Sequence, residues 1–330
     1  MRIKKEYIVL TVVIVGLVAY LVSRNQDRNL YDLPQIEPVQ TKEITRLELT
    51  MAKGGVRFTK EGSDWKISPE NYAADPQKVK EMLAVVEGLT LTELISESKN
   101  YQRYDLDVKD SIRLKCWVKD GLKFELLIGK SAGSFNHTFV KLPEDDAVYH
   151  AKGNFRNKFD MEKDEFREKS VLAFDMETIG AFEIRAKEIA ETFKSVEDAA
   201  SSAESAVSEA AEITAAQNAG KEPQWMDSKG EEADANKIQA LISSLSNLKC
   251  EKFMKGTSKE DLSNPVYTIN LTGAKEYTLS LYAEMEEDGE SFFAAVSSEN
   301  AYPFLLPQWQ SENIMKMPKD LLKKSDHTEE

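Results

Sequence analysis

ADPQKVKEMLAVVEGL, residues 74–89, and ADANKIQALISSLSNL, residues 233–248, decide the reading of this chain, because the second repeats the grammar of the first about 160 residues later. Each opens on Ala-Asp and carries apolar residues at matching steps: Val79, Met82, Leu83, Val86 and Leu89 in one, Ile238, Leu241, Ile242, Leu245 and Leu248 in the other. Steps of three and four place them on one helix face. Asp75 is placed to cap the free amides of the first turn, and Pro76 has its φ preset for the first helical position.

Upstream, the alternation over Ile44–Leu49, then Val56–Phe58 and Trp65–Ile67, reads as strands; Ile179–Ile184 and Trp225 stand in the corresponding places of the second copy. Downstream, Ser111–Val118 and Phe124–Ile128 are matched by Val266–Leu271 and Tyr277–Tyr282. Without βαβ crossover spacing, this order predicts an α+β fold of two tandem repeated modules, each an antiparallel sheet with one packed helix. Amphipathic stretches at Phe155–Phe166 and Leu306–Leu322 predict short closing helices.

Tyr7–Ser23 holds no charge, and eleven of its residues are Val, Ile or Leu. As a helix it reaches roughly 25 Å, close to the apolar thickness of a bilayer. Arg2, Lys4 and Lys5 precede it, so the expectation is an uncleaved single-pass anchor in the bacterial cytoplasmic (inner) membrane, N-terminus in the cytoplasm and body extracytoplasmic or periplasmic. The expected organisation is a stub and transmembrane helix over residues 1–24, a polar tether with Pro34 and Pro38 over 25–42, modules over 43–175 and 176–324, and a flexible tail over 325–330. An Ala/Ser/Glu-rich insertion interrupts the second module at 194–222.

The formal charge of −14 disfavours a nucleic-acid partner, since the average surface repels phosphate. Within the insertion, Val196, Ala200, Ala203, Val207, Ala210 and Thr214 fall at helical steps. Two readings stand there: a solvated linker, or a helix that docks through its small-residue face. Tyr302, Phe304 and Trp309, with Pro303 and Pro307, either close a core or form a docking surface.

Few motifs carry chemistry. Gly129-Lys130-Ser131 lacks the upstream glycine of a phosphate loop, because Phe124 stands there. His137 and His150 flank the turn at Pro143–Asp146 and face each other across two strands if Lys141 pairs with Asp146, but zinc needs further ligands. Cys116 and Cys250, an even pair at non-equivalent points, read as buried unpaired thiols, with a disulfide as the alternative. The acidic groups at Glu144–Asp146 and Glu284–Glu290 lack calcium-loop spacing, and Asp288-Gly289 is a hairpin turn. No catalytic residue, metal or cofactor is assigned.

Trp65, Ala74-Asp75, Tyr104-Asp105-Leu106-Asp107, the strand ending Leu126-Leu127-Ile128-Gly129-Lys130, and Val148-Tyr149 together resemble the bacterial family described as domain of unknown function 4340. The resemblance is good over Ile44–Phe174 and weak in the second copy; the family commonly has Gly where Asp105 stands. It implies a membrane-anchored protein whose gene often neighbours ABC-transporter subunits of the gliding-motility type. The expected function is a non-enzymatic accessory subunit of a transporter or envelope complex; the alternative is binding of a glycan or peptidoglycan fragment.

Overall fold

The structure is a computed structural model that describes residues 12–21, 32–196, 224–287 and 289–323. Of the apolar run expected to span a membrane, residues 12–21 are helical and the rest lies outside the described residues. The expected single-pass helix, and the inner-membrane placement built on it, are therefore corrected: among the described residues no helix is long and apolar enough to cross a membrane.

The chain divides into two compact units between Glu168 and Lys169. In the first, β1 (Arg46–Met51), β2 (Gly54–Glu61), β3 (Asp64–Ser68) and β4 (Tyr72–Ala73) lead into helix α1 (Pro76–Glu87). Strands β5 (Leu91–Ser96), β6 (Ile112–Val118), β7 (Gly121–Ser131), β8 (His137–Lys141) and β9 (Val148–Lys152) follow. They form one antiparallel sheet in the order β4-β3-β2-β1-β6-β7-β8-β9-β5.

The second unit begins with β10 (Ser170–Ala173), β11 (Ala181–Ala186), β12 (Ile189–Ser195) and β13 (Trp225–Met226). Helix α2 (Ala235–Ser246) leads to β14 (Asn247–Lys249), β15 (Lys252–Phe253), β16 (Tyr267–Thr272), β17 (Glu276–Glu287), β18 (Glu290–Ser297) and β19 (Phe304–Pro307). Short helices α3 (Gln308–Ile314) and α4 (Pro318–Leu321) close it. Its large sheet runs β13-β12-β11-β16-β17-β18-β19-β15, while β10 and β14 pair apart from it.

The expected fold class, two helix-packed α+β modules behind a membrane helix, is corrected to three antiparallel sheets of nine, two and eight strands among the described residues. The reason is one of size. A twelve-residue helix such as α1 is about 18 Å long, whereas nine strands about 4.8 Å apart span about 38 Å. One helix covers part of one sheet face, and strands supply most of the core. The two large sheets nevertheless share an order: removing β4 from the first leaves strands whose chain order and pairing match those of the second.

Local chemistry sets the elements. Leu47 and Leu49 of β1 point inward while Thr50 points out, and Leu47 is paired with Phe58 on one side and Cys116 on the other. Tyr267, Ile269 and Leu271 of β16 do the same in the second unit. Asp75 Oδ1 accepts from the amides of Gln77 at 2.9 Å and Lys78 at 3.3 Å, and Asp234 Oδ1 accepts from Asn236 at 3.1 Å and Lys237 at 3.4 Å. The buried helix faces are Val79, Met82 and Val86 in α1 and Ile238, Leu241, Ile242 and Leu245 in α2. Truncating Met82 or Leu241 to Ala costs about 2–5 kcal/mol each.

Each large sheet also carries a small cluster on the face away from its main core. In the first unit Leu126, Ile128, Val140 and Tyr149 face the core, so the alternate residues Leu127, Phe139 and Val148 face the other way. Tyr104 and Leu106, from the loop holding the 3-10 turn Tyr101–Tyr104, pack on them. That loop lies so close to β7 that a Cβ on Gly129 would sit 2.2 Å from the Tyr104 carbonyl oxygen and 2.9 Å from Leu106 Cγ. Asp105, at φ 55° and ψ 39°, takes the left-handed turn that ends the 3-10 helix, a conformation Gly or Asp adopts at low cost.

Gly129→Ala is expected to lower stability by several kcal/mol, or to dislodge the Tyr101–Asp107 loop, whereas Gly133→Ala, with nothing within 4 Å of its Cβ, is expected to be near neutral. Urea unfolding of the two variants checks it. Equal midpoints would show that the loop is not seated on Gly129.

Candidate interaction site

Helix α3 leaves β19 directly, with Pro307 at its N-cap, and is held by two buried residues, Ser311 and Ile314. Those two fix its rotation, which leaves Trp309 65% exposed on another face. Asn313 lies four residues on, so it shares that face with Trp309. Beside it runs a groove of 440 Å³ lined by Lys237, Ala240, Leu241 and Ser244 of α2 and by Asn313, Lys316, Asp320 and Leu321. Leu321 is the buried last residue of α4, which Pro318 starts. Lys237 Nζ donates to the carbonyl oxygens of Asp320 at 2.8 Å and Leu322 at 3.4 Å, tying α2 to the end of α4, and Lys323 pairs with Glu232 nearby.

The groove has an apolar floor and a polar rim. Ala240 and Ser244 are small, so α2 and the α3–α4 segment leave a gap between them that larger residues would close. Lysines outnumber acids on the rim, Lys237 and Lys316 against Asp320, in a chain of net charge −14.

The residues named from the sequence as a docking surface are scattered. Trp309 is exposed on α3, on the face that carries the groove residue Asn313; Tyr302 is 37% exposed and its ring stands edge-on to Phe253 at 6.4 Å; Phe304 is fully buried in the main core of the second unit. Alternation along β19 accounts for Phe304, since Phe304 and Leu306 face the main core and Leu305 the outer cluster. Val196, just after β12, is 40% exposed, and Ala203 and Ala210 lie outside the described residues. Sequence reasoning missed the groove, although α2 carried a signal for it: Ala240 and Ser244 sit four apart, beside the apolar stripe.

The two histidines come together, by a different register from the one expected. His137 pairs with Lys152 and Phe139 with His150, because Leu142–Ala147 forms a longer loop in which Asp145 accepts from the Ala147 amide at 2.9 Å and from the Tyr149 hydroxyl at 2.5 Å. The imidazoles are therefore diagonal neighbours, stacked at 5.2 Å with planes 22° apart. His150 Nδ1 lies 3.4 Å from Glu93 Oε2 on β5, and its Nε2 is buried without a hydrogen-bond partner among the described residues. Burial first, and the His137 ring second, hold the His150 pKa below its ordinary value, with Glu93 opposing them. Among the described residues no group of three or more His, Cys, Asp or Glu is placed to hold a metal ion.

Gly129, Lys130 and Ser131 lie within β7, where the glycine admits the Tyr104 carbonyl and Lys130 faces Asp105 at 3.7 Å. The acidic group around Asp146 serves locally: Lys99 beside that carboxyl holds its pKa below the usual range. Glu287 pairs with Glu290 across the two-residue loop of the β17–β18 hairpin; Asp288 itself lies outside the described residues. Cys116 and Cys250 are buried in the cores of different units. Burial pushes the Cys116 thiol up to about 12, so at neutral pH it stays protonated. Folded protein is expected to show no maleimide labelling at Cys116 by peptide mapping near neutral pH, and full labelling in denaturant; labelling of the folded chain at the rate of a free thiol would contradict the burial.

A protein-family model described as "Domain of unknown function (DUF4340)" matches residues 65–265. No curated protein and no solved structure matches the chain.

Proposed function

This chain belongs to the DUF4340 family, and from that premise we propose that it is a non-catalytic accessory protein that holds a partner protein in the groove beside Trp309. The exposure of Trp309 carries the reading. A tryptophan left 65% in water on the helix face it shares with Asn313, a residue that lines the groove, is the kind of side chain that anchors an interface, where it exchanges hydration for a large apolar contact at little entropic cost. Ala240 offers an exposed apolar contact over the buried Leu241 and Leu321, while Lys316 favours a carboxylate at the rim. The occupant that fits is a short segment of a partner with an apolar anchor flanked by Asp or Glu. The transporter or envelope assembly implied by the family resemblance supplies the class of partner.

A glycan is the second reading, because an exposed Trp309 ring shares a helix face with Asn313, which lines the groove together with the hydrogen-bonding Ser244 and Asp320. The two separate by experiment. A photo-crosslinking residue in place of Asn313, in the full chain in its native cells, is expected to capture one defined protein, and Trp309→Ala is expected to reduce that capture about tenfold or more. Recovery of this chain alone under mild conditions, or capture unchanged by Trp309→Ala, would sink the protein-partner reading. Quenching of Trp309 fluorescence by soluble cell-wall oligosaccharide would favour the glycan.

A further inference from the structure

The equivalence of the two large sheets gives the first unit an internal control. Val140 pairs with Tyr149, both facing the first core; Ala295 pairs with Phe304, both facing the second. With those pairs aligned, His150 corresponds to Leu305 and His137 to Phe292. Glu93, paired with His150 from the edge strand β5, corresponds to Lys252, paired with Leu305 from β15. In the second unit the outer cluster is thus apolar, and Lys252 Nζ lies over the Phe292 ring at 4.9 Å. In the first unit two titratable imidazoles and a carboxylate occupy the same positions.

These imidazoles sit where a charge has consequences. The ring stack runs from His137 to His150 at 5.2 Å, on to Phe139 at 4.7 Å and from Phe139 to Tyr104 at 4.9 Å, so it joins β8 and β9 to the Tyr101–Asp107 loop. Edge strand β5 is held to β9 through two register shifts, at Leu91/Glu93 and Leu94/Ser96, which interrupt its ladder. Beside His150 the ladder is supplemented by side chains: Thr92 Oγ1 donates to the His150 carbonyl oxygen at 3.2 Å, and Glu93 lies against the ring. The charged groups facing His150 are Glu93 on β5 and His137 on β8, with Lys152 two residues along β9; the overlying loop carries Tyr101, Arg103, Tyr104, Asp105 and Asp107, of which Tyr104 meets the stack, through Phe139. A proton on His150 places a second N–H at the buried Nε2, which has no acceptor among the described residues, and sets a cation against the neighbouring imidazole.

We propose that the His137–His150 stack is a proton-operated latch: neutral, it holds β5 and the Tyr101–Asp107 loop against the sheet, and protonation loosens both. The sign follows from linkage. The opened segment returns His150 to its ordinary value near 6.5, above that of the closed form, so the opened form takes up the proton first. The closed form is at full strength above about pH 6.5, weakens as pH falls through that value, and levels off once pH lies below the closed-form pKa. An environment that acidifies would release this edge of the first unit while leaving its counterpart in the second unit shut.

Hydrogen exchange of the full chain, read by mass spectrometry and corrected for the intrinsic pH dependence of exchange, tests it. Between about pH 7.5 and about pH 5.5, peptides within 91–107 and 148–152 are expected to lose protection by on the order of threefold or more, while 252–262 and 304–307 stay unchanged. His137→Phe combined with His150→Leu installs the residues of the second unit and is expected to abolish the response. If that double variant does not fold, His150→Gln, which keeps a polar side chain and does not titrate, is expected to flatten the response equally. No response in the native chain, or one that persists in these variants, overturns the proposal.

Discussion

A sheet nine strands wide has two faces to protect, and the one long helix beside it covers part of one. Most of what is particular to this protein follows from that shortfall. The remainder of the inner face is closed by the strands themselves and by 3-10 turns at Arg156–Lys158 and Lys163–Phe166, which bury Phe155, Phe159 and Phe166. The outer face is closed only locally, by a loop folded onto β7, β8 and β9. Such a loop gains area only if it comes very near the sheet, and Gly129 permits that approach by having no side chain. In the second unit Gly273 stands in the same relation to another segment: a Cβ there would lie 2.6 Å from the Thr178 carbonyl oxygen.

Covering the outer face with a loop rather than a helix has an energetic consequence. The cluster under Tyr104 and Leu106 is far smaller than the main core, so its contribution is modest and small changes in charge or packing shift it. The second unit builds the buried part of its outer cluster from Phe292, Ala294 and Leu305, with Tyr282 packed against it, and has no histidine there. The first unit puts His137 and His150 at the edge of its own. One topology thus presents two surfaces of different sensitivity, and the difference lies in side chains at matched strand positions.

The Trp309 groove depends on the same economy of covering material. Helix α3 is seven residues long and α4 four, and they meet α2 along its small residues Ala240 and Ser244. Lys237 bridges to the α4 carbonyls and keeps the walls in place without filling the space between them.

The sequence by itself determined the local events. Ala-Asp before each apolar stripe located both helices, because a cap is made by atoms two or three residues apart; the alternation over Ile44–Leu49 and Val266–Leu271 located strands, because side chains alternate faces whatever the partner. The motif Tyr104–Asp107, with Gly129 and Val148, was legible as a pattern but not as a purpose: that Tyr104 and Leu106 press on Gly129 depends on a contact between residues over twenty positions apart. The width of the sheets was hidden, since β13 and β15 are two residues long and carry no periodicity of their own. The diagonal stacking of His137 on His150 was set by a loop that moved the register by two, and the exposure of Trp309 beside buried Phe304 by which face of each element met a neighbour. Those choices belong to tertiary structure because packing energy depends on what lies across the contact, which the order of residues along the chain does not state.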